Sequence, residues 1–261
     1  MLSKLLKHEM KACARLLLPL YIILFVLTIM DRIVLSLKLF DGSLAIIPGF
    51  ITFIYVLAIV AIIIVSIVFI VFRFYKNLVT DEGYLMFTLP VKAHQLINSK
   101  LISSLIWIFI SLTAVISSIF AVVITGDKMK MIRDAFHESI ESIRIEFGDL
   151  STLFMIELLL MLVLSIIYAI LLVYTSISAG QLFNGHKLML SFAAYAVINT
   201  ATQIVGIILS LAADFVFSNK FSETEGVVLI VLPLMLLFLL IFSAIYYAAS
   251  NYIFKKKLNL E

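Results

Sequence analysis

The chain repeatedly runs for twenty or more residues with almost no charge, and that pattern limits what it can fold into. A bilayer core of about 30 Å, crossed at about 1.5 Å per residue, takes about twenty apolar residues per helix. Runs of that length lie at 16–37, 48–72, 101–125, 153–178, 189–213 and 227–249. In lipid every backbone amide must find its partner within its own helix or in a closed barrel, and these runs lack the alternation of barrel strands. A 64% content of hydrophobic residues, against about 45–50% in soluble domains, excludes a water-soluble fold. The expectation is an all-α polytopic membrane protein with six transmembrane helices, forming one transmembrane domain over residues 1–261.

The flanking charges orient it. Lys4, Lys7, Lys11 and Arg15 precede the first run, Arg73, Lys76, Lys92 and Lys100 lie between the second and third, and Lys255, Lys256 and Lys257 follow the sixth. With six spans all three clusters share one side. Short positive loops are retained in the cytoplasm, so both termini are expected there. The other side carries Asp41, then Asp127, Asp134, Glu138, Glu141, Glu146 and Asp149, then Glu223 and Glu225, with Lys128, Lys130, Arg133 and Arg144 diluting the contrast. Tyr246, Tyr247 and Tyr252 near the last lysines fit an interfacial aromatic anchor. Asp31, Arg32 and Glu157 fall near the outer interface, where a snorkelling charge reaches headgroups. The first run starts behind a charged segment and meets Asp31 and Arg32 instead of a small-residue cleavage site, so the N-terminus is expected to stay attached.

Three segments are not simple spans. Residues 1–15 set Leu2, Leu5, Leu6 and Met10 against Lys4, Lys7 and Lys11 at helical spacing, as an interfacial amphipathic helix or a solvated basic start to the first span. Residues 126–152 carry Ile132, Phe136, Ile140, Ile143 and Phe147 at steps of three or four. That pattern is an external amphipathic helix whose apolar face packs on the ends of the spans or touches a substrate, the former being the commoner arrangement. Residues 74–100 form the loop after the second span. There Thr80 and Asp81 suit N-caps, Asp81 and Glu82 suit a first turn, and Thr88 with Pro90 marks another helix start. A short helix between them exposes Tyr84, Leu85, Met86 and Phe87, a patch that takes a partner or folds back onto the membrane.

Six spans, the basic amphipathic start, a short cytoplasmic helix opened by Glu82 and Gly83, Leu89 and Pro90 behind it, and Lys100 at the mouth of the third span resemble the type-2 ABC exporter permeases over essentially the whole chain. In that family the short helix is a coupling helix seated in a groove of a separate ATPase. The resemblance therefore implies that Asp81, Glu82, Gly83, Tyr84, Leu85, Met86, Phe87 and Pro90 join the chain to a soluble P-loop ATPase. The segment departs from the usual pattern in having no second acidic residue later in the helix and no basic pair before it. The resemblance also implies the bacterial plasma membrane, a homodimer or a pair with a related permease, contact with membrane lipid and none with nucleic acid. ATP and magnesium would sit in the partner subunit, with no cofactor in this chain. Permeases of this size resemble exporters of antimicrobial or amphipathic peptides, including phenol-soluble-modulin-type exporters.

Chemistry within the chain is not expected. Gly180 to Lys187 fails as a P-loop, because His186 separates Gly185 from Lys187 and Leu188 stands where Ser or Thr must bind magnesium. His8, His94, His137 and His186 lie in separate segments without zinc spacing, no Gly-x-Ser-x-Gly elbow occurs, and Cys13 is the sole cysteine.

Polar residues inside spans mark where cargo or a neighbour sits. Asn199, Gln203, Gly206 and Ser210 follow at steps of four, three and four on one face of the fifth span, leading to Asp214, and either line a pathway or glue helix to helix. In the family the second and fifth spans border the central cavity, so the resemblance adds Thr52 and Tyr55 to a substrate pathway or dimer seam. Pro233 is expected to kink the sixth span. Two other functions stay open: an ion-coupled secondary carrier, which needs buried ionisable residues and broken helices, and a non-transport membrane scaffold or immunity protein.

Overall fold

The computed structural model describes residues 2–37, 46–79, 92–123, 126–183, 187–217 and 223–256; they are almost entirely helical, with no strand among them. The helices are α1 (Leu2–Leu37), α2 (Ile46–Val79), α3 (Ala93–Val123), α4 (Gly126–Phe147), α5 (Ser151–Gly180), α6 (Lys187–Phe217), α7 (Glu223–Gly226) and α8 (Leu232–Lys256). A 3₁₀ turn, Gly148–Leu150, joins α4 to α5, and a π-helical turn, Val227–Val231, joins α7 to α8. Six helical runs are long and apolar enough to cross a membrane: α1, α2, α3, the run Met129–Gly180 from α4 through α5, α6 and the run from α7 through α8. The chain is a multi-pass, all-α membrane protein.

Helix ends depart from the hydropathy boundaries. The amphipathic segment 1–15 is not a separate element but the first turns of the 36-residue α1, because no glycine or proline interrupts the chain before Pro19. Its amphipathic split is as expected, with Lys4, Lys7 and Lys11 exposed and Leu2, Leu5, Leu6 and Met10 half-buried. The loop assigned to 74–100 is shorter, since α2 continues to Val79 and α3 begins at Ala93. Polarity ends a hydropathy run without ending a helix; that takes a breaker or a competing cap. Residues 80–91, with the expected coupling helix, lie outside the described residues.

At Pro233 the missing N–H is absorbed by the π-helical turn just ahead, where the amide of Leu232 donates to the carbonyl of Val227, five residues back. The external segment forms α4 as expected, and Gly148, at φ +52°, ends it in the left-handed conformation that favours glycine. Its apolar row is not packed away: Ile132, Ile140, Ile143 and Phe147 are half-buried and Phe136 is 66% exposed.

Two compact units make up the chain. The first, Met1–Arg73 with Asn98–Ala135, is built on α1, α2 and α3. Its core holds Leu24, Tyr55, Ile62 and Val115 in one cluster and Cys13, Leu17 and Trp107 in another, with Tyr21 packed against both. The second, Phe74–Ile97 with Phe136–Glu261, centres on α5, against which α6 and α8 pack. From Ile170 to Gly180 α5 is buried almost all round. Phe74 stacks on Tyr174 at 3.6 Å and meets Phe254 edge-on at 5.9 Å. Tyr246, assigned to an interfacial anchor, is instead buried here beside Tyr168, while Tyr252 is exposed.

Candidate functional site

The first unit is held by a ladder of polar pairs running the length of its helices. Cys13 Sγ lies 3.9 Å from Ser103 Oγ, Tyr21 OH 2.7 Å from Ser111 Oγ, and Thr28 Oγ1 2.7 Å from Ser118 Oγ. Each pair is 90 positions apart in sequence, so α1 and α3 run parallel in fixed register. Steps of eight and then seven residues separate the rungs on both helices, the interval that keeps a seam facing its partner at a shallow crossing angle. Antiparallel α2 joins the same rungs: Ser66 Oγ is 3.1 Å from Ser111 Oγ, and Tyr55 OH is 2.8 Å from Ser118 Oγ.

The protons on these rungs have a direction. Thr28 donates to the Leu24 carbonyl at 2.6 Å, which makes Ser118 the donor to Thr28 and Tyr55 the donor to Ser118. Ser111 likewise donates to the Trp107 carbonyl at 2.8 Å and so accepts from Tyr21 and Ser66. Back-bonding of this kind satisfies hydroxyls that lipid cannot.

Charged groups close both ends of the ladder. At the end bearing the N-terminal lysines, Glu9 Oε2 accepts from Arg73 Nε at 2.6 Å and Oε1 from Lys100 Nζ at 2.9 Å, pinning all three helices. At the other end Asp31 is fully buried; its Oδ1 accepts from Thr52 Oγ1 at 2.7 Å, and its Oδ2 has no partner among the described residues. Arg32 is exposed and donates to the Ala121 carbonyl at 2.7 Å. Glu9 and Asp31 stand twenty-two residues apart on α1, about 33 Å at the helical rise, which is close to the hydrocarbon thickness. The expected snorkelling of Asp31 is thus overturned: its side chain points among helices, where Thr52 meets it. Glu157 is buried too, within the second unit, and its Oε2 lacks a partner among the described residues.

The residues expected to line a pathway or seam fall into two groups. Thr52 and Tyr55 belong to the first unit, engaged with Asp31 and Ser118. Asn199, Gln203, Gly206 and Ser210 lie on α6 in the second. Asn199 and Gly206 are half-buried, with the Phe238 ring beside Gly206, while Gln203 and Ser210 are exposed. The Ser210 hydroxyl donates back to the Ile207 carbonyl at 2.8 Å. Asp81 to Phe87 and Pro90 lie outside the described residues. Sequence reasoning missed a further buried network in the second unit, where Thr175 Oγ1 lies 2.9 Å from the carbonyl oxygens of Leu171 and Tyr246 and 3.0 Å from Ser250 Oγ, and Tyr168 donates to Thr202 Oγ1 at 3.1 Å. It also missed the ladder, although Ser103, Ser111 and Ser118 in one span were its signal.

Chemically these side chains hold helices to one another; no group of three or more His, Cys, Asp or Glu side chains suited to a metal gathers among the described residues. Fold and seams together define a polytopic helical membrane protein with polar interiors. No family model, curated protein or solved structure matches the chain.

Proposed function

We propose that the chain is the membrane-spanning subunit of an ATP-driven exporter of the type-2 ABC permease kind, moving an amphiphilic substrate, preferentially a peptide, out of a bacterial cell with a separate ATPase subunit. The observation that carries this reading is Gln203. Its amide is exposed near the middle of α6, a helix long and apolar enough to cross the membrane, at a depth where lipid offers no hydrogen bond. A second permease packed there, or a water-filled path between two permeases, supplies the partner, and the half-buried Asn199 and Gly206 continue the same face.

In this reading the three basic clusters hold both termini in the cytoplasm of a bacterial plasma-membrane protein. The segment carrying Asp81 to Pro90 then lies on the cytoplasmic side between α2 and α3, within reach of a soluble ATPase. ATP and magnesium belong to that subunit. Thr52 and Tyr55 already have partners inside the first unit, so their place beside a cavity rests on the family resemblance.

A second reading, an ion-coupled carrier, draws on the burial of Asp31 and Glu157, since buried carboxyls in membrane helices often serve ion pathways. Inverted vesicles separate the two. Uptake of a labelled amphipathic peptide that needs ATP and magnesium and persists with an uncoupler supports the exporter. Uptake that ignores ATP and stops with the uncoupler supports the carrier.

A further inference from the structure

Helix α4 is tethered to the membrane at both ends. Its first residue follows the end of α3 by three positions, and only Gly148–Leu150 separates its last residue from α5. Consecutive spans joined by a charged helix leave and re-enter the same face of the bilayer. A 22-residue helix is about 33 Å long, whereas a three-residue link reaches about 10 Å. Standing upright, α4 would carry one end farther from the bilayer than its link allows, so it lies along the surface. Phe147, stacked on Phe154 at 4.2 Å, holds the end of α4 against the first turn of α5.

Most residues around α4 are sorted to match, with Met131 and Ile145, 75% and 80% exposed, as the apolar residues on the charged side. At 100° per residue Met129, Ile132, Phe136, Ile140, Ile143 and Phe147 share a band about 80° wide. Arg133, Arg144, His137 and Lys130 follow in the next band, all along one edge of the apolar stripe. Glu141, Asp134 and Glu138 lie beyond them, and Glu146 flanks the opposite edge. Arg133 has an exposed contact at 3.5 Å with Asp134, and Lys130 and Arg144 are exposed.

We propose that α4 is an anionic-lipid-binding helix, its apolar band seated at the acyl boundary and Lys130, Arg133 and Arg144 set against headgroup phosphates. Cations bordering an apolar stripe reach phosphates by snorkelling while their stems stay in apolar surroundings. Asp134, Glu138 and Glu141 turn toward water, while Glu146 borders the stripe on its other edge. This inference stands apart from the exporter reading, since it concerns only the helix between two spans.

The test uses the full chain carrying Cys13→Ser, labelled with a polarity-sensitive fluorophore at Phe136→Cys or, on the far face, at Glu138→Cys. Each is reconstituted into vesicles of phosphatidylcholine alone or mixed with phosphatidylglycerol. The expected result is blue-shifted emission, quenched by nitroxide lipids, at position 136 and not at 138. The shift should be larger in the anionic vesicles, reversed by salt, and lose its anionic-lipid dependence in Lys130→Glu/Arg133→Glu/Arg144→Glu. Equal water exposure at both positions overturns the proposal, as does equal shielding in the two lipid compositions. Shielding that grows with protein-to-lipid ratio would mean that a second chain covers the face, and overturns it too.

Discussion

Lys100 on α3 donates to Glu9 on α1 at 2.9 Å, and Arg73 on α2 takes the other carboxylate oxygen at 2.6 Å. One acid thus ties together three helices that hydrophobic burial alone would leave free to slide, because apolar side chains gain little from each other in lipid. Removing one member of a buried pair strands the remaining charge, at a cost of about 3–5 kcal/mol; the partial exposure of Arg73 lowers that figure here. Glu9→Gln is therefore expected to lower the thermal midpoint in detergent clearly, and Glu9→Gln with Lys100→Met to cost less than the sum of the singles. Additive losses would show that the two residues do not act as a pair.

The hydroxyl rungs are expected to be individually weak. Interhelical hydrogen bonds in membranes average about 0.6 kcal/mol. Ser118 meets both Thr28 and Tyr55, so Ser118→Ala should cost about 1 kcal/mol, with Ser111→Ala similar. Ser117→Ala and Thr113→Ala remove only bonds to their own helix, at 3.0 and 2.8 Å, and should leave the unfolding free energy unchanged. Equal effects at all four sites would remove the ladder's structural role.

Two glycines in the second unit should respond differently. A Cβ on Gly180 would stand 2.7 Å from the backbone nitrogen and 2.8 Å from the Cα of Ser191, besides meeting its hydroxyl. Gly180→Ala must push α5 from α6, for about 1–3 kcal/mol, and adding Ser191→Ala should not rescue it because backbone atoms remain in the way. At Gly206 the nearest atom is a Phe238 ring carbon at 3.6 Å, an ordinary contact, so Gly206→Ala should fold normally. Rescue of Gly180→Ala by Ser191→Ala would contradict this packing.

Gly148 is the third contrast. Its φ of +52° costs a side-chain-bearing residue about 1–2 kcal/mol, with asparagine tolerated best. Gly148→Ala should speed hydrogen exchange in the first turn of α5, and Gly148→Asn should do so less. Indistinguishable exchange in the two variants would mean that the turn relaxes away from this conformation.

The six spans were legible because bilayer thickness imposes a length that no soluble element shares. Helix α4 was legible for a related reason: where charges interrupt the apolar residues, the spacing of Ile132, Phe136, Ile140 and Ile143 regains its meaning. Inside the spans periodicity is silent, since exposed Ile22 and buried Leu24 are equally apolar, and only the structure separates them. Asp31 was misplaced for the same reason, because sequence cannot show that Thr52 waits on a neighbouring helix. The row from Asn199 to Ser210 was legible as a face, and the exposure of Gln203 shows that the second unit leaves its amide uncovered.

The proposed coupling to an ATPase is tested most directly by affinity purification from the native membrane in mild detergent, as the wild type and as Glu82→Lys/Phe87→Asp, with every co-purifying protein identified. The exporter reading predicts a P-loop ATPase with the wild type that is lost with the double substitution, while the variant still inserts and folds. Recovery of no ATPase under any gentle condition, or equal recovery with both forms, would contradict it.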